Sequence, residues 1–136
     1  MAMKISIGSD HAGFEQKQEL AAYLKEQGFE VIDRGPDSDD RVDYPDYAAA
    51  VAHDVSNGVA DRGVLVCGTG IGMALAADKI VGCRAANIIT LSGRFVDLDV
   101  NKQIVDTFLT TKFEGGRHAM RVKKIMDLDA DVNTYR

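Results

Sequence analysis

Apolar residues follow two alternating rhythms along the chain. Lys4–Gly8 (KISIG), Phe29–Asp33 and Val64–Val66 are short apolar, β-branched runs that read as strands. Between the first two, Phe14–Gln27 places Phe14, Leu20, Ala21 and Leu24 on one broad helical face and stops at Gly28. After the polar turn Gly35-Pro36-Asp37-Ser38, Tyr44-Pro45 opens a helix in which Tyr47, Val51 and Val55 recur at helical spacing until Gly58. Gly70–Lys79 predicts a further helix, and Cys83–Ala86 and Ile88–Leu91 predict strands. Val100–Leu109 predicts a helix with Val100, Ile104, Val105 and Phe108 turned inward. A last helix begins near Gly115-Gly116 and carries Arg117 and Arg121. This repeated β-α order predicts an α/β fold, a parallel sheet covered by helices on both faces.

One stretch breaks the rhythm. Parallel strands need a crossover of at least about ten residues, yet Gly82-Cys83-Arg84-Ala85-Ala86 runs straight into Asn87-Ile88-Ile89-Thr90-Leu91. Either these residues form one long strand or a connecting segment is missing here.

Size and charge narrow the options. The 136 residues, 46% of them hydrophobic, are enough for one domain with a sizeable core, so a single domain over 1–136 is expected. A net charge of −5 argues against a nucleic-acid binder with a broad basic surface, so any anion must be held by a local cluster. No apolar run approaches membrane-spanning length and the N-terminus has no signal-peptide core, so a cytoplasmic protein with no membrane partner is expected. Cys67 and Cys83, on what read as neighbouring parallel strands, are then expected as thiols.

The chemistry concentrates in the loops at the carboxyl ends of the strands, where ligands bind in such sheets. Gly63–Met73 runs a strand into Cys67 and then a turn with Gly68, Gly70 and Gly72 that opens a helix. Helical N-terminal amides there would face an anion and stabilise a thiolate. Met73 stands where a dinucleotide-binding turn wants its third glycine and where a cysteine phosphatase wants its arginine, and no lysine follows Gly68 as a Walker loop requires. A buried structural cysteine is the remaining alternative for Cys67, and the better reading for Cys83.

The first loop, Ser9-Asp10-His11-Ala12-Gly13, brings a carboxylate and an imidazole. Alone, Asp10 reads as a helix cap and His11 as an exposed side chain. Their place beside the Cys67 loop favours function instead. Tyr44 divides evenly between packing and ligand contact. Arg117 and Arg121, four apart, project from one helix face as an anion clamp, and Arg94 follows another strand. His53 and His118 read as exposed.

Taken together, Gly8–Phe14, Val42-Asp43-Tyr44-Pro45, Cys67–Gly72 and Glu114-Gly115-Gly116-Arg117-His118 closely resemble type B ribose-5-phosphate isomerases and the wider ribose/galactose-6-phosphate isomerase family, from the first strand to about Met126. The resemblance implies a Rossmann-like three-layer α/β/α sandwich, no metal and no cofactor. It also implies a homodimer or a tetramer with sites at the subunit interface, the helix from about 116 packing on a partner. The activity implied is interconversion of ribose 5-phosphate and ribulose 5-phosphate. Allose or galactose 6-phosphate as substrate, or a non-catalytic sugar-phosphate-binding subunit, are the alternatives. Carried onto matching positions, Cys67 is the base, and Thr69 and the amides of Gly68, Gly70, Ile71 and Gly72 stabilise the enediolate. Asp10 handles hydroxyl protons and Tyr44 lines the sugar site. His11, Arg94, Arg117 and Arg121 contact phosphate, some of them across the dimer. Such proteins also carry, between the positions of Ala86 and Asn87, a helix and a His-Asn pair used in ring opening and substrate binding, so the resemblance favours a segment left out there. The polar tail, Asp127–Arg136, suggests no function.

Overall fold

The computed structural model describes residues 2–84 and 87–130. Four strands, β1 (Lys4–Ser9), β2 (Glu30–Asp33), β3 (Arg62–Cys67) and β4 (Ile88–Ser92), form one parallel sheet in the order β2-β1-β3-β4. Five helices accompany it: α1 (Phe14–Glu26), α2 (Tyr44–Ser56), α3 (Ile71–Asp78), α4 (Leu98–Thr110) and α5 (Arg117–Ala130). The central strands of such a sheet are buried on both faces, which explains why β1 and β3 read as continuous apolar runs rather than alternating ones.

Two cores flank the sheet. On one face Leu20, Ala21 and Leu24 of α1 and Val105 of α4 pack on Ile5, Ile7, Val64, Val66 and Leu91. On the other, Ala48, Val51 and Ala52 of α2 and Met73 and Ala77 of α3 pack on Leu65, Cys67 and Ile88. Together these faces make the three-layer α/β/α sandwich. Burying a side chain of Val or Leu size contributes roughly 1.5–3 kcal/mol, so the two cores set the helices firmly against the strands.

Three expectations fail. Cys83 and Arg84 are not strand, so the two cysteines do not sit on neighbouring strands. The Cys83 amide donates to Ile80 O, and Asn87 Oδ1 accepts from the Arg84 amide while the Asn87 and Ile88 amides both reach Arg84 O. The chain therefore turns before β4 and does not run on as one long strand; Ala85 and Ala86, the rest of the expected strand and the junction where a segment was expected, lie outside the described residues. In α4 the inward face carries Leu98, Asn101, Val105 and Leu109, whereas Val100 and Ile104 are exposed and Phe108 is half-buried. The apolar spacing there marks a solvent-side stripe, because Asn101 is needed inside for hydrogen bonding. His118 is half-buried against Glu114, with Nε2 3.2 Å from its carboxylate.

Candidate active site

The strand order reverses direction at β1, with β2 on one side and β3 on the other, which creates a crevice beyond their carboxyl ends. The loops leaving β1 and β3 meet there, and the Asp10 amide donates to Val66 O across the gap. Cys67 is the last residue of β3 and is buried. Gly70, at φ +86, turns the backbone left-handed so that its own amide points back at the cysteine and donates to Sγ at 3.0 Å. A side chain at that φ is strained, and a Cβ would also stand 3.3 Å from the Leu91 backbone.

The same turn starts α3. Thr69 Oγ1 accepts from the Ile71 amide at 3.2 Å, so that amide is already engaged. Gly72 and Met73 are then the first-turn donors that precede the helical ladder, which begins with the Ala74 amide on Gly70 O. Gly72 is glycine for a reason of space: a Cβ would lie 2.8 Å from the ring of Tyr44. Tyr44 begins α2, so the close contact fixes α2's start against α3's.

His11 and the loop before α2 enclose a cleft of about 480 Å³ lined by His11, Arg41, Val42, Asp43, Tyr44 and Pro45. His11 Nδ1 accepts from the Val42 amide at 3.3 Å, so in the neutral imidazole the proton sits on Nε2. Asp10 Oδ1 accepts from the Gly13 amide at 2.9 Å; Gly13 is itself the N-cap of α1, which has no side-chain cap, so Asp10 closes the turn that precedes the helix and does not cap it. Arg94 lies over the glycine turn, its guanidinium carbon 3.5 Å from where a Gly68 Cβ would stand.

Arg94 owes its place to a network that the sequence pattern did not reveal. Ser92 Oγ donates to Gly68 O at 2.6 Å, tying β4's end to the glycine turn. Gln16 Nε2 donates to Gly93 O and Val96 O, and buried Asn101 donates to Gln16 Oε1 and Ser92 O. The signal was present: Asn101 is a polar residue on the face of α4 that must point inward.

A second network shapes the wall on the β2 side. Lys17, fully buried, donates to both oxygens of Asp33 and to Pro36 O, each at 2.9 Å. Gly35 O in turn accepts from the Ser9 amide, so the ion pair sets the loop on which the Asp10–His11 turn rests. Arg34 donates to both oxygens of Asp54, and Ser6 Oγ donates to Asp54 Oδ2 at 2.8 Å. Burial alone would raise the Asp54 carboxyl, but the hydrogen bonds from Arg34 and Ser6 outweigh it and hold it below its ordinary value. Lys17 interrupts the stripe of Leu20 and Leu24 at helical spacing, and that misplaced charge is the sequence sign of a buried pair. Cys83 is structural: its thiol donates to Ala52 O, and burial pushes it up from its ordinary value.

Arg117 and Arg121 are not at this site in the same chain. Helix α4 runs back along the sheet, and α5 begins beside Arg62, the first residue of β3, in a groove shared by Glu114 and His118. Cys67 lies at the other end of that strand, roughly 16 Å away at ~3.3 Å per residue. Among the described residues no group of His, Cys, Asp and Glu is arranged to hold a metal ion, and no helix is long and apolar enough to cross a membrane.

The profile of the ribose/galactose isomerase family matches residues 5–87 and 85–125. Ribose-5-phosphate isomerase B of Escherichia coli is 42% identical over 143 residues, covering 93% of this chain and 96% of its own. The Clostridium thermocellum ribose-5-phosphate isomerase B structure superposes with a TM-score of 0.92 at 44% identity, over 95% of this chain and 99% of that one. The Mycoplasma genitalium enzyme with bound ribulose 5-phosphate gives 0.88 at 40% identity, over 97% and 99%. In the E. coli alignment this chain supplies 93% of 136 residues, about 126, against 143 aligned positions, so about 17 are filled only by the relative. The family match comes in two pieces that meet at residues 85–87.

Proposed function

The chain belongs to the ribose/galactose isomerase family, and from that premise we propose that it interconverts ribose 5-phosphate and ribulose 5-phosphate through an enediolate, with Cys67 as base. The observation that carries this reading is the pairing of a cysteine sulfur with a helix N-terminal turn: Sγ accepts the Gly70 amide, and Gly70 is the N-cap of α3. Aldose–ketose isomerisation needs both parts. A base must take the proton from the carbon next to the carbonyl, and fixed donors must meet the oxyanion that forms.

In the aldose-to-ketose direction the Cys67 thiolate removes the C2 proton, and the C1 carbonyl oxygen becomes the enediolate oxygen. The amides of Gly72 and Met73 and the Thr69 hydroxyl stabilise it. Asp10 carries the hydroxyl proton from O2 to O1, and Cys67 returns its proton to C1, giving the ketose with no net change in atoms. Tyr44 bounds the sugar, and His11 Nε2 and Arg94 bind the phosphate.

The remaining phosphate contacts come from a second copy. Arg117 and Arg121 stand at the wrong end of their own sheet, and α5 presents Met120, Ile125, Met126 and Leu128 exposed. Ile71 and Leu75, one turn apart on α3 beside the cleft, are exposed as well. A homodimer in which α5 of each subunit crosses to its partner covers these surfaces and completes both sites. Each 136-residue chain then acts as one isomerase domain.

Solvent hydrogen exchange tests the reading. Ribulose 5-phosphate incubated with the protein in D₂O should acquire deuterium at C1 and yield ribose 5-phosphate deuterated at C2. Ribulose 5-phosphate that stays unlabelled and unconverted would rule the isomerase out.

A further inference from the structure

The two edges of the sheet differ in kind. β2 carries Glu30 and Asp33 at its ends, charges of the sort that keep an edge strand from pairing with another chain. β4, Ile88-Ile89-Thr90-Leu91-Ser92, has no charge, no proline and no glycine. Nothing in its sequence blunts it.

The hydrogen bonds of β4 show what that edge leaves open. The Gly63 amide donates to Asn87 O and the Gly93 amide to Cys67 O, so the odd-numbered residues here turn their backbone groups to β3. Ile88, Thr90 and Ser92 turn theirs to the free edge. Two of those groups are engaged within the chain: the Ile88 amide donates to Arg84 O, and Ser92 O accepts from Asn101 Nδ2 at 2.9 Å. Among the described residues no hydrogen bond reaches the other four, which are Ile88 O, the Thr90 amide, Thr90 O and the Ser92 amide.

These four groups complement one another. Across a two-fold axis at Thr90, two antiparallel copies of the strand set Thr90 opposite Thr90 and Ser92 opposite Ile88. Each Thr90 amide then donates to the partner's Thr90 O, and each Ser92 amide to the partner's Ile88 O. The pair of groups such an arrangement would otherwise bring together, the Ile88 amide and Ser92 O, is the pair already satisfied inside the chain.

Helix α4 supplies a second, independent observation. Its exposed Val100 and Ile104 and half-buried Phe108 line, with Ile89 of β4, a groove of about 740 Å³. An axis that relates antiparallel strands of one sheet stands perpendicular to it, so both α4 helices lie on the same face and flank the seam. The apolar stripe of α4 then has a place to be buried.

We propose that β4 is a self-pairing edge: two copies of the chain join along it into one eight-stranded sheet, four strands from each, with the α4 stripes covered across the seam. This contact is separate from α5 and does not rest on the isomerase reading.

Thr90→Cys in the full chain tests the register. The two Cα atoms of a hydrogen-bonded antiparallel pair stand about 5.5 Å apart, inside the disulfide range of ~4.4–6.8 Å. Under mild oxidation the variant should run as a covalent dimer on a non-reducing gel, while the unmodified protein, whose Cys67 and Cys83 are buried, runs as a single chain. Thr90→Pro removes the edge donor and none of the bonds to β3. In sedimentation its particle should have half the mass of the unmodified protein's, with circular dichroism reporting that each variant is folded. A folded Thr90→Cys protein that stays uncrosslinked, or a folded Thr90→Pro particle of undiminished mass, overturns the proposal.

Discussion

The Gly70 amide donates to Cys67 Sγ at 3.0 Å, so the sulfur is held by the turn that also begins α3. One left-handed glycine thereby serves two ends. It lets the chain leave β3 and enter a helix within three residues, and it directs a backbone dipole at the atom that must carry negative charge. The geometry of the base and that of the oxyanion donors cannot be altered separately.

Gly72→Ala separates packing from folding. The substitution favours the helix by up to about 1 kcal/mol, but the new Cβ would stand 2.8 Å from the Tyr44 ring, which must move. Thermal unfolding should be little changed, while KM for ribulose 5-phosphate rises about tenfold, ~1.4 kcal/mol of binding. Unaltered KM would show that Tyr44 does not bound the sugar.

Subunit complementation reports on the arginines. Cys67→Ala and Arg117→Ala proteins should each be poorly active alone. Mixed after unfolding and refolding together, they should regain activity, because a hybrid dimer contains one site with both groups intact. No recovery in a mixture that forms hybrid dimers would return Arg117 to its own subunit or to no role.

Asp33→Asn tests the buried ammonium. It leaves Lys17 buried without its counter-charge, for which the expected loss is about 3 kcal/mol, the low end for a broken buried pair because Asp33 is itself partly exposed. Urea unfolding measures it. A loss below ~1 kcal/mol, the range of surface pairs, would mean that water reaches the ammonium.

Asp54 makes stability depend on pH. Its carboxyl lies below its ordinary value in the folded chain, so the stabilisation is complete above the unfolded value, about 4, and is lost as pH falls through the lower folded one. Arg34→Gln removes the main hydrogen-bond cause of that lowering. The difference in urea midpoint between the two proteins should be widest near neutrality and shrink as the pH drops below about 4. A difference that stays constant with pH would assign the effect to packing.

The sheet and its helices were legible because β1 and β3 are buried apolar runs and the helices end at glycine or a polar turn. Cys67, Asp10, His11, Tyr44 and Arg94 could be grouped from sequence because all follow strands or open helices at one edge of the sheet. What stayed hidden has a common cause. Lys17, Asn101 and Gln16 act from within helices through hydrogen bonds to backbone and to one another, and a period of apolar residues records where polar partners are tolerated but not whom they meet. In α4 the stripe of Val100, Ile104 and Phe108 pointed the wrong way, since Asn101 had to face inward to hold the Arg94 turn. Cys83 and Arg84 read as strand because Cys83 is apolar and buried, yet neither is paired in the sheet.

The most direct test of the account is deuterium incorporation into ribulose 5-phosphate by Cys67→Ala in D₂O, read beside binding of the same sugar. With the general base gone, exchange and turnover should fall by about 10²–10⁴-fold, while ribulose 5-phosphate still binds with near-normal affinity. Exchange at close to the unmodified protein's rate would contradict the account and remove Cys67 from the chemistry.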